Sequence, residues 1–309
     1  MTTSETTPAH PRERAAHPAR HFLHGLMMGG ADIIPGVSGG TVALILGIYE
    51  RLVGAIRNLA VAVVRTLRGD TAAARAHLRD VEWRLVVPLG AGILLAVGIG
   101  SVVIPPLLEQ FPSQMRGLFF GLIVASLVVP WRRVDRDAGA PVVVAVVAAA
   151  VAALLVGLPP RAVDDPALIL VFVIAAVAIC AMILPGVSGA FLLLVMGVYE
   201  VTLHAISDFD LVYVAVFVLG AAVGLGVFSR VLAYLLATHH GTTMAALVGL
   251  MAGSLRALWP WQTETRALQT PPGDAAHVVV VAALAVVGYA LVTALVRFGD
   301  DETHPAQPE

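Results

Sequence analysis

The chain has no lysine and one cysteine, and only 13% of its 309 residues are charged. The lack of lysine excludes a Walker-type phosphate-binding lysine and a Schiff-base lysine. A single cysteine, Cys180, excludes a disulfide framework and a thiolate metal site. With 58% hydrophobic residues and a mean hydropathy of +0.87, so small a charged fraction excludes a water-soluble protein and predicts a polytopic membrane protein.

One stretch of sequence occurs twice, 150 residues apart. Residues 33–56 are identical to residues 183–206 at 12 of 24 positions. Both copies carry Pro-Gly-Val-Ser-Gly near their start and a Tyr-Glu pair after a glycine further on. A duplicated Pro-Gly interruption within apolar sequence is the best sequence-level pointer to the binding site of a transporter.

Six uninterrupted segments are long enough for membrane-spanning helices, which need about 20 apolar residues each. Two further apolar regions, 20–56 and 166–206, are broken at the centre by Pro-Gly. Each could be two full spans or a re-entrant hairpin. We favour hairpins, because the first arm has only about 14 residues, or about 21 Å of helix, against a hydrocarbon core of about 30 Å. The predicted spans are 84–108, 115–131, 141–158, 211–237, 242–259 and 276–297.

The distribution of arginine predicts the orientation. The N-terminal tail, residues 57–84 and the loop 132–136 are rich in arginine, whereas the loops on the other side have few. By the positive-inside rule the arginine-rich segments and both termini face the cytoplasm. Three spans then separate the two copies, so the second copy is inverted relative to the first.

This reasoning predicts an all-α polytopic membrane protein with two inverted repeats, each made of one re-entrant hairpin and three transmembrane helices. The expected divisions are a disordered cytoplasmic tail (1–19), repeat 1 (20–158, with hairpin 20–56 and an amphipathic cytoplasmic segment 57–83), repeat 2 (159–297, with hairpin 166–206) and a C-terminal tail (298–309).

The Pro-Gly break has a definite chemistry. Pro35 cannot continue a helix, Gly36 permits the chain to reverse, and Ser38 is suited to cap the outgoing helix. Gly39 and Gly40 would leave the first N–H groups uncovered, and such a helix end attracts a phosphate or carboxylate. The alternative is that the small residues only allow close helix packing.

Three acidic residues and one arginine are further candidates for residues that act in transport. Asp32 lies beside the first break and is a candidate for proton or cation coupling, or else a cap for nearby N–H groups. Glu50 and Glu200 each lie 12 residues beyond the capping serine, about 18 Å along a continuous helix, and are kept in both copies. Arg116 is a candidate phosphate ligand, although arginines at span ends usually reach to the headgroups.

The run from Gly30 to Thr41, the later Gly-Ile-Tyr-Glu and the second Pro-Gly-Val-Ser-Gly resemble the PopT-type polyprenyl-phosphate transporters. The resemblance covers nearly the whole chain apart from the tails. It implies a flippase that returns undecaprenyl phosphate across the bacterial plasma membrane for cell-wall synthesis. The expected partners are the lipid phosphate and H⁺ or Na⁺, with no cofactor, metal or nucleic acid. The expected substrate-binding residues are Pro35, Gly36, Ser38, Gly39, Gly40, Thr41, Pro185, Gly186, Ser188, Gly189 and Arg116, and the expected coupling residues are Asp32, Glu50 and Glu200.

Two other functions remain open on sequence grounds. A polyprenyl-diphosphate phosphatase also has inverted repeats and a Pro-Gly-x-Ser loop, but Gly39 stands here where that loop carries its phosphate-holding arginine. The other alternative is an ion-coupled transporter of small anions, with Asp32 as the coupling site.

Overall fold

The computed structural model describes residues 18–32, 38–134, 140–159, 161–263 and 265–303. Over these ranges the chain is almost entirely helical, and the extended pairing within them is one isolated bridge between Gln262 and Leu268. This confirms the all-α prediction. The helices are α1 (Pro18–Asp32), α2 (Gly39–Ile45), α3 (Tyr49–Leu67), α4 (Thr71–Arg79), α5 (Trp83–Gln110), α6 (Pro112–Ser126), α7 (Val128–Trp131), α8 (Ala140–Val156), α9 (Leu168–Ile183), α10 (Gly189–Val195), α11 (Tyr199–Ser207), α12 (Leu211–Thr238), α13 (His240–Ser254) and α14 (Ala275–Thr303), with a 3₁₀ turn at Leu255–Leu258.

Five helical segments of the described chain are long and apolar enough to cross a membrane. The remaining predicted span, 141–158, corresponds to α8, an apolar helix of 17 residues. Each predicted span therefore has a helix at its place, which confirms the prediction of a polytopic membrane protein. The five segments are Trp83–Gln110, Pro112–Trp131, Leu211–Thr238, His240–Leu258 and Ala275–Ala294.

Most residues of the two expected terminal tails lie outside the part of the chain that the structure describes. Residues 1–17 and 304–309 are not among the described residues. Residues 18 and 19 belong to α1, and residues 298–303 extend α14.

The two broken regions consist of short helices. α1 has 15 residues, about 22 Å of helix, and α2 and α10 have only 7 each, about 10 Å. None of these matches a hydrocarbon core of about 30 Å. Within each region the helices on either side of the break pack against each other, α1 on α2 and α9 on α10. Short arms that fold back in this way favour re-entrant hairpins over pairs of full spans.

Each outgoing arm ends at a glycine that turns the chain. Gly47 and Gly197 have φ of +70° and +85°, in the left-handed region that favours glycine. At Gly197 the chain bends by 106° between α10 and α11. The expectation of one continuous helix from the capping serine to the repeated glutamate is therefore wrong. The signal was present in the sequence, because both copies carry this glycine two residues before the Tyr-Glu pair.

The same helix pairs form in both halves of the chain. α1 packs along α5 as α9 packs along α12, and α6 packs along α14 as α13 packs along α8. The joints also match: Phe111, between α5 and α6, has φ −131° and ψ 53°, and His239, between α12 and α13, has φ −133° and ψ 48°. Two structural repeats would produce this pattern if a helix of each packs against a helix of the other, as α6 does with α14 and α8 with α13. Inversion of the second copy across the membrane stays a prediction.

The first hairpin lies at the centre of the fold. Ala43 and Leu44 of α2 have 0% of their surface exposed and belong to one core cluster with Met244 and Met251 of α13. The helix α2 is therefore enclosed by helices of both halves.

Glycine allows the long helices to approach to backbone contact. A Cβ atom at Gly121 of α6 would overlap the carbonyl oxygen of Ala285 in α14. One at Gly253 of α13 would overlap the carbonyl oxygen of Ala149 in α8. Small residues at helix interfaces are the usual means of close packing inside membranes.

This packing predicts that Gly121→Ala destabilises the protein although alanine is the better helix former. The methyl group meets a backbone oxygen that no side-chain rotation can move, so we expect a loss of roughly 1–3 kcal/mol. Thermal unfolding of the purified protein in detergent measures it. The matched control is Gly90→Ala in α5, where a Cβ atom has nothing within 4 Å. Equal unfolding temperatures for the two variants would contradict the packing described here.

Candidate functional site

The first break ends in a serine cap. Ser38 has extended backbone (φ −130°, ψ 137°) and is 2% exposed, and its Oγ accepts a hydrogen bond from the Gly40 N–H at 3.1 Å. The prediction that Ser38 is the N-cap of the outgoing helix is confirmed. Pro35 and Gly36, the other expected residues of this break, lie outside the described residues.

The Asp32 carboxylate takes the next donor of α2. Its Oδ1 accepts from the Gly39 N–H at 2.6 Å, and a Cβ atom at Gly39 would lie 2.5 Å from Oδ2. The expectation that Gly39 and Gly40 leave uncovered N–H groups is therefore wrong. A helix that begins inside an apolar structure needs acceptors for its first N–H groups, and the chain supplies them itself. The capping role, one of the two considered for Asp32, is the one observed.

The two broken tips touch each other. The Gly186 N–H donates to Thr41 Oγ1 at 3.1 Å, and the Ser38 hydroxyl donates to the carbonyl oxygen of Leu184 at 3.4 Å. A Cβ atom at Gly40 would lie 2.7 Å from the carbonyl oxygen of Ile183. Residues of the two copies therefore form one polar cluster, which we call the tip contact: Ser38, Gly40 and Thr41 from the first copy, and Ile183, Leu184 and Gly186 from the second.

The second break is held between the first tip and α13. Pro185 and Gly186 are buried, and Gly186 has φ +82°. A Cβ atom there would lie 2.6 Å from Cα of Met251. Glycine is required at this position by both its conformation and the close approach of α13.

The second tip has the shape of the first with different chemistry. Ser188 caps α10 by accepting from the Phe191 N–H at 3.4 Å. A Cβ atom at Gly189 would be 3.1 Å from Sδ of Met182, as one at Gly39 would meet the Asp32 carboxylate. An apolar thioether therefore covers the start of α10 where a carboxylate covers the start of α2.

The repeated glutamates lie away from the tip contact. Glu50 and Glu200 occupy the first turns of α3 and α11, beyond the glycine bends. Glu50 Oε1 lies 3.1 Å from Nε2 of His240 and 3.7 Å from Nη1 of Arg133. Glu50 thus joins α3 to the start of α13 in the other half, and the structure does not bring it together with Asp32.

Two arginines approach the tips from outside. Arg116 is half-buried in α6, one turn before Phe119, which packs with Ala31 beside the first break. Arg266, from the loop before α14, places its Cζ 4.2 Å from the ring centroid of Phe191. Burial and the nearby Arg116 guanidinium lower the pKa of Arg266. Sequence reasoning missed Arg266; the only local signal was the aromatic residue that replaces Thr41 in the second copy.

Within the described ranges, no three His, Cys, Asp or Glu side chains are grouped so that they could hold a metal ion. The polar groups of the candidate site are backbone amides, hydroxyls, one carboxylate and two guanidiniums. Such a set suits an anionic ligand.

The chain matches known proteins over most of its length. Residues 28–276 match a family model described as undecaprenyl phosphate translocase-like. A polyprenyl-phosphate transporter of Vibrio cholerae serotype O1 is 35% identical over 241 residues, covering 78% of this chain and 77% of that protein. A polyprenyl-phosphate transporter of Staphylococcus aureus is 30% identical over 259 residues, covering 78% of this chain and 86% of that protein. No solved structure matches the chain. By the extent of these matches, the chain belongs to the undecaprenyl phosphate translocase-like family.

Proposed function

We propose that this protein moves polyprenyl phosphate, undecaprenyl phosphate in particular, across the bacterial plasma membrane so that the lipid carrier is reused in cell-envelope synthesis. The observation that carries the proposal is the family match over residues 28–276, which spans both broken tips. The names of the two relatives support the same substrate class.

The structure supports a ligand with a charged head and an apolar tail. The head needs a polar site inside the membrane, and the tip contact is a polar cluster enclosed by apolar helices. The tail needs apolar surface open to lipid. The long spans supply it: Leu94 of α5 and Val286 of α14, for example, are 75% and 67% exposed.

Head-group binding at the tips requires an exchange of partners. In this structure the Gly39 N–H is bonded to Asp32 and the Gly186 N–H to Thr41. A phosphate that displaces these acceptors gains both amides, the Thr41 hydroxyl and the Ser38 hydroxyl. The proposed substrate-binding residues remain Pro35, Gly36, Ser38, Gly39, Gly40, Thr41, Pro185, Gly186, Ser188, Gly189 and Arg116.

Asp32 is the proposed coupling residue at the tip. When it takes up a proton or pairs with Na⁺, its hold on the Gly39 N–H weakens and the amide becomes available to phosphate. The charge of Asp32 is then cancelled as the charged phosphate enters. Two uncompensated anions in an apolar environment are thereby avoided. Glu50 and Glu200, at the bends beyond the two tips, are proposed to act in the same cycle by changing partners as one half moves against the other.

The proposed cycle places both termini in the cytoplasm and the second repeat inverted relative to the first. Rocking of one repeat against the other would then open the tip contact to one leaflet at a time. The proposal describes transport without a chemical step, so the protein is not an enzyme in this view.

Reconstitution tests the proposed function. Purified protein in liposomes should carry a labelled polyprenyl phosphate from the outer to the inner leaflet, measured by its loss of accessibility to an added phosphatase. Release of inorganic phosphate from a polyprenyl diphosphate by the protein alone would favour the enzyme alternative. Uptake of small anions by liposomes that lack lipid phosphate would favour the small-anion transporter.

The tip contact predicts a strong effect of Gly40→Ala on transport. Its methyl group would press against the Ile183 carbonyl oxygen and separate the tips. A strain of roughly 1–3 kcal/mol would lower the transport rate roughly 5- to 150-fold. Gly30→Ala in α1 is the matched control, since a Cβ atom there has nothing within 4 Å. Equal rates in the liposome assay, at equal protein amounts, would contradict the assignment of the tip contact to the substrate path.

The coupling role predicts that Asp32→Asn slows transport about tenfold and removes its dependence on pH. An asparagine oxygen still accepts from the Gly39 N–H but carries no charge that a proton can cancel. Asp70→Asn is the matched control: Asp70 caps α4 by accepting from the Ala73 N–H at 3.1 Å, far from the tips. Transport by the Asp32→Asn protein with the wild-type rate and pH profile would rule out coupling at Asp32.

A further inference from the structure

The loop before α14 is built to present one arginine. The Gln269 N–H donates to the carbonyl oxygen of Trp261 at 2.9 Å, and the Thr263 N–H donates to that of Ala267 at 3.0 Å. Arg266 sits at the turn between them with φ +64°, a conformation that costs free energy for a residue other than glycine. The hydrogen bonds of the loop hold this conformation and so fix the direction of the Arg266 side chain.

A second set of hydrogen bonds anchors this loop to the end of α13. The Gln262 side-chain amide donates to the carbonyl oxygens of Arg256, Ala257 and Trp259 at 2.7–3.0 Å. The Trp259 indole N–H donates to the carbonyl oxygen of Gln269 at 2.9 Å. Gln262 and Gln269 of the loop are therefore tied to the residues that follow α13.

The Arg266 guanidinium rests on the second tip. Its Cζ lies 4.2 Å from the ring centroid of Phe191, in the first turn of α10. A ring face holds a guanidinium while leaving its N–H groups free for other acceptors. Among the described residues, no carboxylate forms an ion pair with Arg266.

Arg116 brings a second positive charge to the same place. It is half-buried and lies one helical turn before Phe120, whose ring meets the ring of Trp259 at the base of the loop, with centroids 6.2 Å apart. The Arg116 charge also lowers the pKa of Arg266. Arg116 likewise has no acidic partner within the described part of the chain. Two partly desolvated like charges with no counterion among the described residues are unfavourable, and an anion between them would relieve both desolvation and repulsion.

The surface beside Arg116 suits an apolar tail. Gly117, the next residue, lies so near α14 that a Cβ atom there would be 2.7 Å from Cγ1 of Val281. The neighbouring Val279 and Val280 of α14 are 65% and 49% exposed. Exposed apolar side chains of α14 therefore lie near the Arg116 end of α6.

We propose that Arg116 and Arg266 form a phosphate-monoester site at the face that carries the 261–269 loop, where the lipid head group is received before it passes to the tip contact. The proposal rests on the proposed function and deepens it, since it adds Arg266 and Phe191 to the substrate path. One guanidinium can donate two parallel hydrogen bonds to the oxygens of a phosphate. Such a site therefore binds phosphate tightly without lysine.

Equilibrium binding to the full-length protein in nanodiscs tests the site, with a short-chain polyprenyl phosphate as probe. Arg116→Gln and Arg266→Gln should each weaken binding about tenfold or more, the usual effect of losing a hydrogen bond to a charged group. Phe191→Leu should weaken binding by a smaller factor, because the guanidinium loses the ring that orients it. Binding of the uncharged polyprenol should not change in any variant.

Arg161→Gln is the matched control. Arg161 is also next to the second hairpin, where its N–H donates to the Leu194 carbonyl oxygen at 3.1 Å, but its side chain is exposed. We expect its affinity for the lipid phosphate to equal that of wild type. The unfolding temperature of each variant, measured in the same nanodiscs, separates lost binding from lost folding. Arg266→Lys, which keeps the charge but not the paired geometry, provides a second folded variant and should bind between wild type and Arg266→Gln.

Inorganic phosphate serves as the second probe. We expect inorganic phosphate to compete weakly with the polyprenyl phosphate for binding to the wild-type protein, and not to compete in the Arg266→Gln protein. This result supports a site for the phosphate of a lipid. Binding of inorganic phosphate as tight as that of the lipid would assign the site to free phosphate and overturn the proposal. Wild-type affinity for the lipid in both Arg116→Gln and Arg266→Gln would overturn it as well. A wild-type protein that neither binds nor moves polyprenyl phosphate would instead contradict the proposed function itself.

Discussion

The structure depends on one constraint: a helix that is broken inside an apolar protein must find acceptors for its first N–H groups. The breaks lie where water is scarce, so the chain itself must supply those acceptors. Ser38 and Asp32 do so for α2, and Ser188 does so for α10. Thr41 accepts from the buried amide of Gly186, in the turn before α10. The contact between the two tips meets part of the same requirement, because each tip accepts a hydrogen bond from the other.

The two copies meet the same requirement with unequal chemistry. Both use a capping serine and both turn at a glycine beyond the short helix. Asp32, however, has Met182 as its counterpart, and Thr41 has Phe191. The first tip therefore offers exchangeable polar groups. The second offers an aromatic face that carries an arginine from outside. In the proposed pathway the head group is received beside the second tip and then bound by exchange of hydrogen bonds at the first. Two identical tips could not take these different roles.

The sequence predicted the spans well because length and apolarity along the chain determine them: the expected 211–237 is α12, Leu211–Thr238. It also predicted Ser38 as a cap, since capping is decided within a few residues. It failed where the partner is distant in the chain. Neither the bond from Gly186 to Thr41 nor the approach of Arg266 to Phe191 leaves a local pattern. The uncovered amides expected at Gly39 were an error of the same kind, because the position of Asp32 over the helix start depends on how the chain returns after the break.

A site whose donors are already satisfied can still bind tightly if the ligand offers equivalent acceptors. Exchanging the Asp32 carboxylate for a phosphate oxygen at the Gly39 N–H replaces one charge-assisted hydrogen bond with another, so the net free energy of the exchange is small compared with either bond. In the proposed cycle the two arrangements of the tip differ by little in free energy, so that a proton on Asp32 favours one of them. A transporter needs this balance, because a head group held by donors with no alternative partner would enter the site and not leave it. In the proposed cycle, the internal acceptors Asp32 and Thr41 are what makes release of the head group possible.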